Sequence, residues 1–150
     1  MNKKTLVKLS IAVALCLPIG AIAKDYRASN PATWTAHTVD NAIKGLYGEV
    51  TFIQSDKVIL KLAKVVASGS AVPIKIKSTI DAKSVSVFQD TNPESAVAVW
   101  SVPKGGIVDY GVKIKLKSDA TLKVVIEGRD GNFYTATSFV QVSGGGCEGG

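Results

Sequence analysis

Val108-Asp109-Tyr110-Gly111-Val112-Lys113-Ile114-Lys115-Leu116-Lys117 is the stretch that decides the fold. Val108, Tyr110, Val112, Ile114 and Leu116 take every second place, with Asp109, Lys113, Lys115 and Lys117 between them. A strand turns successive side chains to opposite faces, so this spacing predicts one apolar face and one wet face. Turn signals bound it: Pro103-Lys104-Gly105-Gly106 before, Ser118-Asp119 after.

The same period runs outward in both directions. Downstream, Leu122–Gly128 is a strand, Asp130-Gly131 a hairpin signal, and Asn132–Val142 the last strand. Upstream, Ser95–Val102 is apolar on both faces, which predicts a central strand covered on two sides. Asp90-Thr91-Asn92-Pro93 is a turn, and Ser84–Gln89 carries Val85 and Val87 inward. Val72–Ile80 places Val72, Ile74, Ile76 and Ile80 against Lys75, Lys77 and Thr79; Pro73 marks a strand beginning or an edge. Ala67-Ser68-Gly69-Ser70 separates this from Lys57–Val66, read as one β-branched strand, and Glu49–Gln54 is a short one. Seven or eight short strands predict an all-β fold, an antiparallel sandwich.

Before the strands, Pro31 opens a segment of helical tendency. Thr38–Lys44 is expected to make one or two turns stopped by Gly45, with Trp34, Val39, Ile43 and Leu46 as an apolar stripe against the domain.

The N-terminus reads as a delivery signal. Lys3, Lys4 and Lys8 are a basic region, Leu9–Ile22 an apolar run, and Ala21-Ile22-Ala23 a small-x-small cleavage pattern. Removal of residues 1–23 is expected, leaving a chain that starts at Lys24. The run is too short to anchor in a membrane. Cys16 is no lipid-attachment site, because bulky Leu15 precedes it, and the lack of an Arg-Arg pair points to export by the general secretory route. The remaining 150 − 23 = 127 residues make one domain, 24–142, followed by the segment 143–150. The whole chain's net charge of +6 overstates the exported form: three of 18 basic residues leave and all 12 acids stay, giving +3. So mild an excess does not call for nucleic acid.

Ser143-Gly144-Gly145-Gly146-Cys147-Glu148-Gly149-Gly150 has no large apolar side chain to bury and is expected to be a flexible arm. Gly144, Gly145, Gly146, Gly149 and Gly150 supply its freedom. Four extended residues from Ser143 carry Cys147 about 13 Å beyond the last strand. With Cys16 gone, Cys147 is the single cysteine of an exported chain, which means intermolecular pairing or a reactive thiol. No base adjoins it, so an ordinary thiol of pKa ~8.5 is expected, activated by whichever enzyme admits the arm.

Other chemistry is excluded. There is no second cysteine for a redox pair or zinc site, no histidine cluster around the lone His37, no phosphate loop and no Ser-His-Asp set. Asp81, Asp90, Glu94, Asp109 and Asp119 sit in or beside turns. No catalytic residue, metal or cofactor is expected. Three readings come from the residues: a carrier whose thiol is the attachment point, an interaction module whose tail cysteine makes an intermolecular disulfide, and a thiol enzyme, against which the lack of a partner base counts.

The tail Gly145-Gly146-Cys147-Glu148-Gly149-Gly150 resembles the Gly-Gly-Cys-Gly-Gly ending of the SoxY family, sulfur carriers of the bacterial sulfur-oxidising (Sox) system. Lys61–Ile76, with its Val72-Pro73-Ile74, is similar to that family's strand, loop and strand, and the likeness spans about Tyr47 to Gly150. It implies an immunoglobulin-like sandwich paired with a second sandwich, SoxZ. It implies that Cys147 holds thiosulfate-derived sulfur covalently, loaded by the SoxAX cytochrome, hydrolysed by SoxB and in some organisms oxidised by SoxCD. Two features depart from the family. Glu148 stands where the family has glycine, adding bulk and negative charge beside an anionic adduct. The general-secretory signal departs from the twin-arginine route often used by this family.

Overall fold

The structure, a computed structural model, describes residues 24–144. The segment 1–23 and Gly145, Gly146, Cys147, Glu148, Gly149 and Gly150 lie outside the described residues. Three helices come first: α1 (Tyr26–Ser29), α2 (Pro31–Trp34) and α3 (Val39–Tyr47). The strands are β1 (Phe52–Gln54), β2 (Val58–Lys61), β3 (Val65–Val66), β4 (Val72–Ser78), β5 (Ala82–Gln89), β6 (Ala96–Ser101), β7 (Val108–Ile114), β8 (Ala120–Gly128) and β9 (Phe133–Val142).

The helices begin where side chains can hold orphan N–H groups. The Asp25 carboxylate accepts from Arg27 and Ala28 N–H, and Thr38 Oγ1 accepts from Asn41 N–H. Helix α3 does not stop at Gly45 as the sequence suggested. It runs through to Tyr47 and ends at Gly48, whose φ of 77° suits only glycine well. Gly45 is instead where α3 crosses α2: a Cβ there would lie 2.8 Å from Thr33 N. Asn30 Nδ2 fastens the crossing by donating to the carbonyls of Gly45 and Leu46.

Two sheets face each other. One has the order β1-β9-β8-β5-β6, with β3 also on β9; the other is β2-β4-β7. The β7 alternation is as read: Val108, Ile114 and Leu116 are buried, and Asp109, Lys113, Lys115 and Lys117 are exposed. They meet Ile76, Leu122, Val124 and Ile126 in the core between the sheets. Each such side chain contributes roughly 1.5–3 kcal/mol by leaving water. The fold is an all-β sandwich with short N-terminal helices.

A third layer lies outside the first sheet. Ala42, Ile43 and Leu46 of α3 pack on Phe88 and Val125. Trp34, placed by the sequence on the same stripe, does not join it; its Nε1 donates to Tyr26 O and the Arg27 guanidinium lies 4.3 Å from its ring centre. Because of this layer β5 and β8 are covered on both faces.

Two strand expectations are corrected. Ser95–Val102 is not central: β6 pairs only with β5 and forms the sheet's edge, every residue part-exposed. Its two apolar faces reflect the layers above and below it, since Val99 packs towards α3 and Val97 and Trp100 towards the sandwich core. Lys57–Val66 is not one strand. Its first half, β2, pairs antiparallel with β4; its second, β3, crosses to the other sheet and pairs with β9. The pairing is antiparallel except at β1–β9 and β3–β9, which are parallel. Pro73 is the second residue of the middle strand β4, so it marks a beginning and no edge. Trp100 and Tyr110 stack across the open side between β6 and β7, ring centres 5.1 Å apart.

Candidate functional site

The site is the place where β9 hands over to the tail, and four short contacts build it. Gln141 N–H donates to Lys64 O at 2.8 Å and Ser143 N–H to Val66 O at 2.9 Å, so the strand end is held by β3. Val142 N–H donates to Asp119 Oδ1 at 2.7 Å. The Ser143 hydroxyl donates to Val66 O at 3.2 Å. Below them, Gly69 O accepts from Leu116 N–H at 2.8 Å. A Cβ on Gly69 would lie 2.0 Å from Leu116 O, so no other residue fits between the segment after β7 and the end of β9.

Of the arm glycines, Gly144 is among the described residues. A Cβ there would come 2.3 Å from Ala67 O. Close packing against the chain after β3 therefore requires glycine at this position, whatever freedom it also gives. The arm thus starts from a fixed point three residues short of Cys147.

The remaining residues singled out in the sequence are structural. His37 Nδ1 lies 2.8 Å from Pro93 O, so that nitrogen carries the proton and donates. Asp81 pairs with Arg129 at 3.3 Å, and Asp90 Oδ1 accepts from Thr121 N–H at 2.8 Å. Asp109 takes both Lys77 and Lys75; the hydrogen bond from Lys77 holds its carboxyl below the ordinary value. No trio of potential metal ligands occurs among the described residues. No helix among them is long and apolar enough to cross a membrane.

One polar cluster was not foreseen. Tyr47 Oη lies 3.0 Å from Ser84 Oγ and 3.1 Å from Ser86 Oγ, and Ser84 donates on to Glu127. Burial against the sheet pushes the Tyr47 phenol up to about 12. The signal lay in β5: Ser84 and Ser86 alternate with Val85 and Val87, and a second covered face would have to satisfy them. The cluster fastens the helical layer to the sheet, away from the arm.

A family model described as sulfur oxidation protein SoxY matches residues 43–147, well over half of the chain. Among solved structures, the sulfur carrier protein SoxY from Chlorobium limicola f thiosulfatophilum superposes with a TM-score of 0.66 at 24% identity, over 77% of this chain and 99% of that one. A superoxide reductase (neelaredoxin) from Ignicoccus hospitalis follows at 0.53 and 10% identity, over 61% and 94%. At these identities both are likenesses of fold. No curated protein sequence matches. Matched across the sandwich and into the tail, the chain belongs to the SoxY family of sulfur oxidation proteins.

Proposed function

We propose that the protein is a periplasmic sulfur carrier that holds thiosulfate-derived sulfur on Cys147 and presents it to the enzymes of the Sox system. The observation that carries this reading is that the family match runs on past the last strand and ends at residue 147, the cysteine itself. The clamped strand end supports it, because a short tether from a fixed point defines where a thiol is offered.

The chemistry is that of a covalent handle. Loading joins the cysteine sulfur to the outer sulfur of thiosulfate. It releases the thiol proton and passes two electrons to the cytochrome SoxAX, leaving cysteine S-thiosulfonate. Hydrolysis by SoxB then adds water across the terminal S–S bond, releases sulfate and leaves a persulfide, which SoxCD oxidises where it is present. The carrier supplies no acid or base for either step. Glycines around the thiol let the adduct enter narrow pockets, and Glu148 adds a negative charge beside an anionic cargo. A second sandwich, SoxZ, is the standing partner, and no resident cofactor is required. Residues 1–23 direct export and are removed.

The test is intact-protein mass spectrometry on carrier purified from its own thiosulfate-grown cells, with Cys147→Ser alongside. Reducible increments of sulfur or sulfonate that vanish in the variant are expected, on a chain beginning at Lys24. Unmodified monomer, or a disulfide-linked dimer alone, would overturn the reading.

A further inference from the structure

Among the described residues nothing covers the outer face of the three-stranded sheet, whereas that of its partner sheet is covered by α3. Its composition is one-sided. The register sets Lys61 opposite Lys75, Lys77 opposite Asp109, and Lys113 opposite Pro73. Directly paired residues point to one side, their Cβ atoms about 5 Å apart. Lys115 and Lys117 continue the row, exposed on either side of buried Leu116. Six lysines thus share one face with one strand carboxylate, Asp109, and both of its oxygens are already taken by Lys75 and Lys77. At the far corner Asp56 and Lys57 cancel each other. At the near end Asp119 is occupied by the Val142 N–H.

Elsewhere opposite charges pair at three places among the described residues. Lys44 pairs with Glu49, Lys83 with Glu127 and Arg129 with Asp81. Residues 24–144 hold 15 basic and 11 acidic side chains, a net 15 − 11 = +4. The lysine face alone carries 6 − 1 = +5, so the rest of the body is close to neutral. Placing Lys61 against Lys75 costs folding energy that one acid at either position would recover.

The face also has a direction. Its β7 row runs into Leu116, whose N–H is held by Gly69 O beneath the end of β9, so the cationic strip leads to the arm's root. The spaces between the lysines are filled by Ile59, Pro73 and Gly111, with no aromatic ring on which a nucleobase would stack.

We infer that this lysine face is the docking surface for the acid-faced enzyme that loads the arm, steering it so that its pocket opens over the root at Ser143–Gly144. The inference rests on the carrier reading and deepens it. Docking on the sheet leaves the root at Ser143–Gly144 uncovered, and long-range attraction raises the encounter rate without holding the product.

The test compares two double charge reversals of equal net charge. Lys61→Glu with Lys113→Glu alters the face; Lys44→Glu with Lys104→Glu alters the remainder. Lys61→Glu faces Lys75 with an acid, so folding should be maintained, which thermal unfolding verifies. With the organism's own purified cytochrome and thiosulfate, kcat/KM for the mass increment on Cys147 should fall about 10-fold or more at low salt in the face variant. Its kcat at saturating carrier should be unchanged, the gap should narrow at higher ionic strength, and the control variant should stay within about twofold. Binding of the Cys147→Ser carrier to the cytochrome reads docking even where nothing is loaded, so failure of the carrier reading is seen separately. Equal losses in both variants, loss in neither, or no binding at all would overturn the inference. So would face-dependent sedimentation with phosphatidylglycerol vesicles, which would assign the lysines to a lipid surface.

Discussion

Asp119 Oδ1 accepts the backbone N–H of Val142 at 2.7 Å, tying the turn before β8 to the last residue of β9. The contact joins residues that are 23 apart in the chain, and it closes the strand end from the side opposite β3. Asp119→Ala is expected to cost about 1 kcal/mol and to speed hydrogen exchange at Val142 and Ser143 more than at Val124. Asp119→Asn keeps an acceptor and should retain most of the protection. Equal exchange in wild type and alanine variant would show that the bond does not hold the root.

Gly144 packs too closely on Ala67 O for any side chain. Gly144→Ala should therefore push the root off β3, weakening the Ser143–Val66 bond, while changing global stability by less than about 1 kcal/mol because the site lies at a chain end. Slower loading of Cys147 at unchanged melting temperature is the expected result. Unaltered loading would mean that the arm's starting point does not matter.

Tyr47 makes stability depend on alkaline pH. In the unfolded chain a phenol ionises near 10. In the folded protein burial moves it to about 12, the serine hydrogen bonds opposing this only in part. The native state then keeps a proton that the unfolded state has lost, so stability falls as pH rises from about 10 to about 12. The full effect is of order 2–3 kcal/mol. Urea unfolding between about pH 9 and 11 should show this slope, and Tyr47→Phe should flatten it. Tyrosinate absorbance should show Tyr134 late as well, since ionising it would break its hydrogen bond to Asp130.

Lys61→Glu places an acid opposite Lys75. A gain of about 0.2–1 kcal/mol is expected at low ionic strength, shrinking as salt screens the pair. A loss of stability would mean that Lys61 is held by something other than its cross-strand neighbour.

The fold was legible where one face of a strand meets water. Val108–Lys117 announced both its period and its core side, because only one of its faces is covered. Legibility failed where a segment is covered twice. Ser95–Val102 reads as central from its two apolar faces, yet those faces record layers stacked above and below; the neighbours to left and right are backbone, which leaves little mark on side chains. The same blindness joined β2 to β3, since β-branched residues look alike whichever sheet they enter. Gly45 shows the local version: a glycine inside a helix pattern reads as a stop, and what it makes room for, Thr33 on another helix, is invisible in one dimension. The site was half legible. The tail drew attention to Cys147 because it lacks large apolar side chains, and it lies outside the described residues; the clamp at Asp119, Lys64 and Val66 arises from non-local pairing, and no spacing in the sequence announces it.

The two-residue strand β3 has a mechanical consequence. It runs parallel to β9, and β8 flanks the same strand from Ala120↔Val140 to Glu127↔Phe133. Tension applied to the chain beyond Gly144 would enter β9 along its length. The flanking hydrogen bonds then bear the load side by side in shear, where pulling on a hairpin end would peel them one at a time. On the proposed carrier function the sandwich would work as a cleat: a tug on the tail would be borne by the whole ladder, and the body would follow the tail instead of unravelling from it.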